Sequence, residues 1–453
     1  MRSIKAKKEL IVAFILMLSL VLALGGSAIA QNKIVYWHNE GGNVVLFPQM
    51  KEQIADFEAK NPDIKVEMVH IGWEIFRTKL RLAVDAGAGP DMAEVGYDTP
   101  VVYVGLGKAF CVDDYFVKTG LKWTDFAGQL VDSATIGGKH WAMPWRGDTR
   151  AMWLRTDLVQ QAGLSLPEDD TWTWEDFKAF AKKLSNPVKG IYGYGFPAAL
   201  NDQDTFCWFQ PILKAYGGDF YDAAYTKSLL NNEGAVKAFE FYASLVNEGI
   251  APKDVVNWQR SDMENMFYAG RLAIMQDHFG AGTAMRTKNA ALGTKITAIK
   301  VPRGPVKKAT FGAGVLHLGF DKGKAQNDIT WKLMEYMSCN FDVQKQYYNE
   351  KDPATGLLTV HREPALRKAA VMEGDWPYPG DNIWYEKVFM TESKYGEAPP
   401  KIVPREGFGV NEPIAMALQK MLIENWSAKQ AADFAAAGYN KQLAEAIWYP
   451  GKK

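Results

Sequence analysis

After residue 31 the apolar positions change their period several times. Ile34-Val35-Tyr36-Trp37 is a short continuous apolar run, which reads as a buried strand. Leu46, Met50, Ile54 and Phe57 then recur at helical spacing until Asn61-Pro62 stops them. Ile64, Val66 and Met68 alternate with polar residues, as a strand with one buried face does. Trp73 to Ala86 predicts a second helix closed by Gly87-Ala88-Gly89-Pro90, and Met92-Ala93-Glu94-Val95 a third strand. Such alternation predicts an α/β lobe with a largely parallel sheet, in which ligands bind beyond the carboxyl ends of the strands. Those ends carry His38-Asn39-Glu40 and Tyr97-Asp98.

A second lobe is expected after Pro144. Thr173-Trp174-Glu175-Asp176 has the form of a capping box, with Phe177, Phe180, Ala181 and Leu184 as the buried face behind it. Further helices are predicted over about 233–248, with Val236, Phe239, Ala243 and Val246 in register, and over about 324–339, burying Trp331, Met334 and Met337. Glycine-rich breaks near 217–218, 280–282 and 312–314 are turn or hinge candidates.

Residues 1–30 change the picture of where the chain works. Arg2, Lys5, Lys7 and Lys8 precede an apolar run from Leu10 to Leu24, and Ser27-Ala28-Ile29-Ala30 offers a cleavage site before Gln31. The run is short for a membrane span and no cysteine sits at the cleavage point, so an exported, soluble mature chain without a lipid anchor is expected. The remaining 423 residues exceed the size of one hydrophobic core, which predicts two lobes. The whole chain has no formal net charge and the leader carries +3, leaving −3 for the rest. That balance argues against nucleic acid or an anionic membrane as a partner. Cys111, Cys207 and Cys339 are far apart and suit buried thiols better than a disulfide framework. The 15 Trp and the 13% aromatic content exceed what a core alone asks for and suit a ligand with flat apolar faces.

No H-E-x-x-H, G-x-S-x-G, Walker A or G-x-G-x-x-G pattern occurs, and the six histidines lack ligand spacing. Gly105-Leu-Gly107 reads as a turn, Asp113-Asp114 and Asp169-Asp170 as solvated acids, and Tyr347-Tyr348 as packing rather than a phenolate metal site. The expectation is a chain with no catalytic residues, no metal and no cofactor.

Several segments, in order, resemble the sugar-binding, maltose-binding-protein-like branch of the extracellular solute-binding proteins, family 1. They are Ala55-Asp56-Phe57 through Val66, Ala86-Gly87-Ala88-Gly89-Pro90-Asp91, Gly138-Lys139-His140-Trp141-Ala142-Met143-Pro144, Thr173-Trp174-Glu175-Asp176-Phe177, and Met266-Phe267 through Met275. The sequence departs from that pattern at Leu154-Arg155 and at His278-Phe279-Gly280, both near the expected cleft. The resemblance implies an α/β, two-lobed periplasmic-binding-protein fold with mixed, mostly parallel sheets and three crossings near 145–150, 275–280 and 312–318. It puts 31–146 with 280–314 in the N-terminal lobe, and 147–279 with 315–453 in the C-terminal lobe. It also implies a monomeric substrate-binding subunit of an ABC transporter, taking a mono- or oligosaccharide to permease subunits without chemistry or membrane insertion. A secreted glycan hydrolase or lyase, or the same fold holding glycerol phosphate, a polyamine or a metal, are the alternatives.

Sugars present hydroxyls at the ring edge and C–H groups on the faces, so carboxylates, amides and aromatic rings are the side chains sought. Asn39 and Glu40 follow the first strand, and Tyr97 and Asp98 the third, where Asp98 either accepts sugar hydroxyls or makes an Asx-turn. By resemblance Trp145 and Trp208 stand where platforms occur, with core burial as the competing reading. Asp148 aligns with a second sugar-binding acid. Its neighbours Arg146 and Arg150 form either a structural ion network or a seat for an acidic substituent. His278, Phe279 and Gly314 belong to the crossings, as contacts or as hinge packing, and Trp384 is chosen from a late aromatic-rich region as a cap for the saccharide's far end.

Overall fold

The computed structural model describes residues 32–41, 46–167, 172–200, 205–278, 280–282, 285, 290–346, 350–351, 358–359, 363–364, 388–389, 391–402 and 412–446. The expected leader, Phe279 and Trp384 lie outside these residues.

The chain opens as its periodicity requires: β1 (Asn32–His38), α1 (Leu46–Lys60), β2 (Ile64–His70), α2 (Trp73–Asp85), β3 (Met92–Gly96) and α3 (Thr99–Gly105). β1 pairs in parallel with both β2 and β3. Alternation along the strands sends Ile34, Tyr36 and Met92 into one apolar layer with Met50 and Phe57 of α1, and Ala93 and Val95 into another with Phe76 and Leu80 of α2. The first lobe is therefore a sheet covered by helices on both faces.

A single strand carries the chain into the second lobe. β4 (Ala142–Arg155) runs for 14 residues with every position buried except Asp148, which is partly so. At roughly 3.3 Å per residue it is about 45 Å long. Its first half pairs with β8 (Thr310–Gly319), and β8 in turn pairs with β3. Its second half pairs with β6 (Leu272–His278) and β7 (Ile296–Ile299), while β5 (Tyr192–Gly195) lies parallel to β6. The sheet order is β2-β1-β3-β8-β4-β6-β5, parallel toward its ends and antiparallel through the crossing strands.

The second core gathers around this end of the sheet. Trp174 and Phe177 come from α4 (Trp174–Leu184), Phe209 from α5 (Thr205–Ala215) and Phe239 and Tyr242 from α6 (Glu233–Asn247). At the start of α4 the capping box forms as read: the Asp176 amide donates to Thr173 Oγ1 and the Thr173 amide to Asp176.

Two segment assignments change. Residues 280–314 were expected in the first lobe, yet β7 pairs with residues 152–155 of β4, and Ala281, Met285, Leu292 and Ala298 join the core of Trp174 and Phe239. Residues 315–453 were expected in the second, and Ile414, Leu418 and Tyr439 do pack there, yet Leu316 and Leu318 pack with Val95, and Trp331, Met334 and Met337 of α7 (Lys324–Cys339) pack with Ile34 and Tyr36. An amphipathic stripe says that a helix buries a face; which sheet receives it depends on where the chain crosses. Along β8 that crossing is sharp, since Phe311 and Ala313 belong to the second core and Leu316 and Leu318 to the first.

Candidate functional site

The junction of the two lobes is built on one face of β4. Side chains two apart on a strand point the same way, so Arg146, Asp148 and Arg150 form a row that passes from the first lobe into the second. Opposite them on β8, Val315 pairs with Arg146 and Ala313 with Asp148. The small Ala313 leaves room beside the one partly exposed residue of the strand.

At the first-lobe end, Arg146 is held by two carboxylates. Its Nη2 donates to Glu40 Oε1 at 2.7 Å and also to Glu94, and the guanidinium carbon sits 4.2 Å from the Trp145 ring centroid. All three partners are buried, with Glu94 0%, Arg146 1% and Glu40 4% exposed. Asn39 closes the cluster: its backbone N–H donates to Glu94 Oε2 and its side-chain amide to the Glu94 carbonyl, each at 3.1 Å. His38 is next in line, and burial together with the neighbouring His70 pushes it down to about 4.

At the second-lobe end, the Arg150 guanidinium lies between rings, 4.1 Å from the Trp208 centroid and 5.0 Å from that of Phe311. Trp208 is oriented by its indole N–H, which donates to the Gln276 carbonyl at 2.8 Å. Tyr97, from the end of β3, reaches across to this group. Its ring stands edge-on to Phe206 and Phe311 at 5.9 and 5.3 Å, and its hydroxyl is 3.8 Å from Cys207 Sγ. The two lobes thus touch through Tyr97.

The structure therefore brings Asn39, Glu40, Tyr97, Arg146, Asp148 and Trp208 to one junction. Asp98 stands beside it, paired with Arg77 at 2.8 Å and making no side-chain cap for α3, so the Asx-turn reading does not hold. Both tryptophans weighed as platforms are core residues: Trp145 is fully buried on His317, ring centroids 4.4 Å apart, and Trp208 packs with the second core. Gly314 serves strand packing, because a Cβ there would run into the Arg146 carbonyl oxygen and Leu130. His278 pairs with Arg150 across β4 and β6, its Nδ1 accepts from the Ala281 amide, and its Nε2 is 2.7 Å from Arg260 Nη2; it packs the crossing.

Sequence reasoning missed Glu94, Phe311 and Gln276. Glu94 carried a signal, since an acid inside an otherwise apolar strand has to find a cation. Phe311 and Gln276 look like any buried strand residue until the strands are paired.

The junction offers little for chemistry, because Glu40 and Glu94 are both committed to one guanidinium. Among the described residues no His, Cys, Asp and Glu group could hold a metal ion, no helix is long and apolar enough to cross a membrane, and no two of the three cysteines form a disulfide. A groove of about 730 Å³ lined by Phe57, Asn61, Tyr336 and Phe341 involves none of the junction residues.

Residues 42–338 match the model of the family described as bacterial extracellular solute-binding protein. The chain belongs to that family. It is 24% identical over 406 residues to the galactooligosaccharide-binding protein of Bacillus subtilis, covering 87% of this chain and 86% of that one. With the maltotriose-binding protein of Pyrococcus abyssi it shares 24% identity over 350 residues, 76% of this chain and 70% of the other. Among solved structures, an ABC transporter solute-binding protein from Thermotoga lettingae bound with alpha-D-tagatose superposes with a TM-score of 0.75 at 21% identity, covering 91% of this chain and all of that one. That likeness establishes the two-lobed solute-binding fold. The solute-binding protein described here presents its row of charged strand residues where its two lobes meet, and its family consists of binding proteins rather than enzymes.

Proposed function

We propose that this chain is the extracytoplasmic receptor of an ABC importer and that it closes on a mono- or oligosaccharide at the junction of its lobes. The observation that carries the reading is the row Arg146, Asp148, Arg150 on the crossing strand, faced by Tyr97 of one lobe and Phe206 and Trp208 of the other. Sugar hydroxyls would accept from and donate to the charged row and Glu40, and a ring C–H face would lie on Tyr97, the partly exposed aromatic of the group. The sugar-binding names of the relatives agree with this.

The working cycle follows from where the strands cross. Rotation about residues 148–150 of β4 and 312–314 of β8 parts Tyr97 from Phe206 and Cys207 and uncovers the second-lobe wall. A solute that contacts both walls favours the shut form, and the permease reads that form. Export with cleavage before Gln31 and delivery to permease subunits belong to the same proposal.

Titration calorimetry of the mature chain against a saccharide panel, with small-angle scattering on the same samples, tests it. Saturable heat and a smaller radius of gyration with a saccharide are expected; flat heats and unchanged scattering throughout would sink it. Release of reducing ends from oligosaccharides would instead favour the hydrolase alternative.

A further inference from the structure

Three arginines are buried among the described residues: Arg146 (1% exposed), Arg150 (2%) and Arg155 (7%). Two of them are paired with carboxylates. Arg146 holds Glu40 and Glu94, and Arg155 makes a two-pronged pair with Asp157 at 2.9 and 2.7 Å and donates to the Phe267 carbonyl at 2.7 Å. Arg150 differs. No carboxylate among the described residues lies within ion-pairing distance of it, and its Nε and Nη1 are buried without a hydrogen-bond partner. Its guanidinium lies against the faces of Trp208 and Phe311, with Asp148 and Asp277 acting on it electrostatically from beyond pairing distance.

An arginine stays charged in a protein, and burying that charge without a paired carboxylate is costly, a cost that stacking on aromatic rings only partly offsets. A second unsatisfied group lies alongside. Gln276 is fully buried with neither its amide oxygen nor its amide nitrogen bonded, and it sits two residues from His278, the cross-strand partner of Arg150. Its own cross-strand partner is Met152, so Gln276 and Arg150 share a face of the sheet. Trp208 links the two, its ring under Arg150 and its N–H on the Gln276 carbonyl. Thr205, the first residue of the same helix, likewise has a buried hydroxyl without a partner.

We propose that Arg150, with the Gln276 amide beside it, is the receptor's seat for a carboxylate, so that the preferred solute is an acidic saccharide of the uronate type rather than a neutral sugar. This rests on the receptor reading above. The acids around Arg150 favour one negative charge on the ligand over two. Arg146 is paired with two acids and Asp277 with Arg260 at 3.1 Å, so Arg150 is the cation of the row without a carboxylate in pairing distance among the described residues, and Asp148 stands two residues away on the same strand face. A carboxylate meets that single charge, whereas a doubly charged phosphate ester sets its second charge against Asp148. The departure is confined to the second-lobe wall, so hydroxyl recognition by Glu40 is unaffected.

The test is calorimetry on the full mature chain with matched probes: glucuronate, galacturonate and mannuronate and their dimers, the corresponding neutral sugars, galactose 6-phosphate, and acetate. Each uronate that binds should do so at least tenfold tighter than its neutral counterpart, with the difference shrinking as salt is raised. Arg150→Met should cut the acid-to-neutral affinity ratio at least tenfold while its urea midpoint stays at or above that of the parent, since an unpaired buried charge is removed; Arg150→Lys should restore part of the ratio. A marked drop in the midpoint of Arg150→Met would assign the side chain a structural role and overturn the proposal. So would neutral sugars binding as tightly as uronates, galactose 6-phosphate binding tighter, or acetate matching the uronates; each of these leaves the saccharide-receptor reading standing or replaces only its ligand. Silence from every probe overturns both.

Discussion

Arg146 donates to Glu94, a carboxylate with no exposed surface, from a strand that Glu94's own strand never touches: β8 lies between them. The pair therefore clamps three neighbouring strands at the place where the chain leaves its first lobe, and Glu40 joins from the end of β1.

Removing the guanidinium should leave two buried acids uncompensated. Arg146→Met is expected to cost about 3–5 kcal/mol in urea unfolding. Adding Glu94→Gln to that variant should recover part of the loss, because one of the stranded charges goes with it. A cost under about 1 kcal/mol for the single change would mean that water reaches the cluster.

Gly314 faces the Arg146 carbonyl across the β4–β8 pairing. Gly314→Ala forces a methyl against backbone atoms that cannot swing away, and a loss of about 1–3 kcal/mol is expected from overpacking. Thermal unfolding of the variant measures it. A neutral result would require the two crossing strands to be free to separate here.

Trp208 does structural work as well as facing Arg150. Trp208→Ala should cost about 3–5 kcal/mol, since it empties a fully buried indole site in the second core. Trp208→Phe keeps most of the ring but leaves the Gln276 carbonyl without its donor, for about 1–3 kcal/mol. Urea midpoints should rank parent, Phe, Ala; equal midpoints for the last two would mean that the hydrogen bond, not the ring, matters.

His38 is held neutral by burial and by His70, at about 4 rather than its ordinary 6.5. The unfolded chain takes up the proton first as pH falls, so this contribution to stability is complete above about 6.5, declines as pH drops toward 4, and changes no further below that. His317, fully buried beside Arg146, is also pushed down, by burial first, and acts in the same direction. Denaturation midpoints should therefore fall between pH 6.5 and 5, where ordinary carboxylates stay ionised, and His38→Gln should flatten part of that slope. A parent profile that is level across this interval would show the histidines to be solvated.

Much of the first lobe could be read directly. Periodicity marked β1, α1, β2, α2 and β3 to within a residue or two at most ends, because each element's stripe is complete within its own few turns or strand. The ends of those strands did carry Asn39, Glu40 and Tyr97 to the junction. What local pattern could not supply was the fate of residues separated by a crossing: the apolar faces of 280–314 and of 324–339 fit either core equally well.

The sequence by itself determined the classes of element, the need for two cores, and the presence of charged residues inside an otherwise apolar crossing strand, all of which depend on neighbours within a few positions. Only the tertiary structure decided which charge met which. Arg146 and Arg150 are four residues apart in similar surroundings, yet one finds two acids and the other two aromatic rings. Their difference comes from strands that pair across long stretches of chain, and the energy of a buried charge depends on the partner those pairings bring to it.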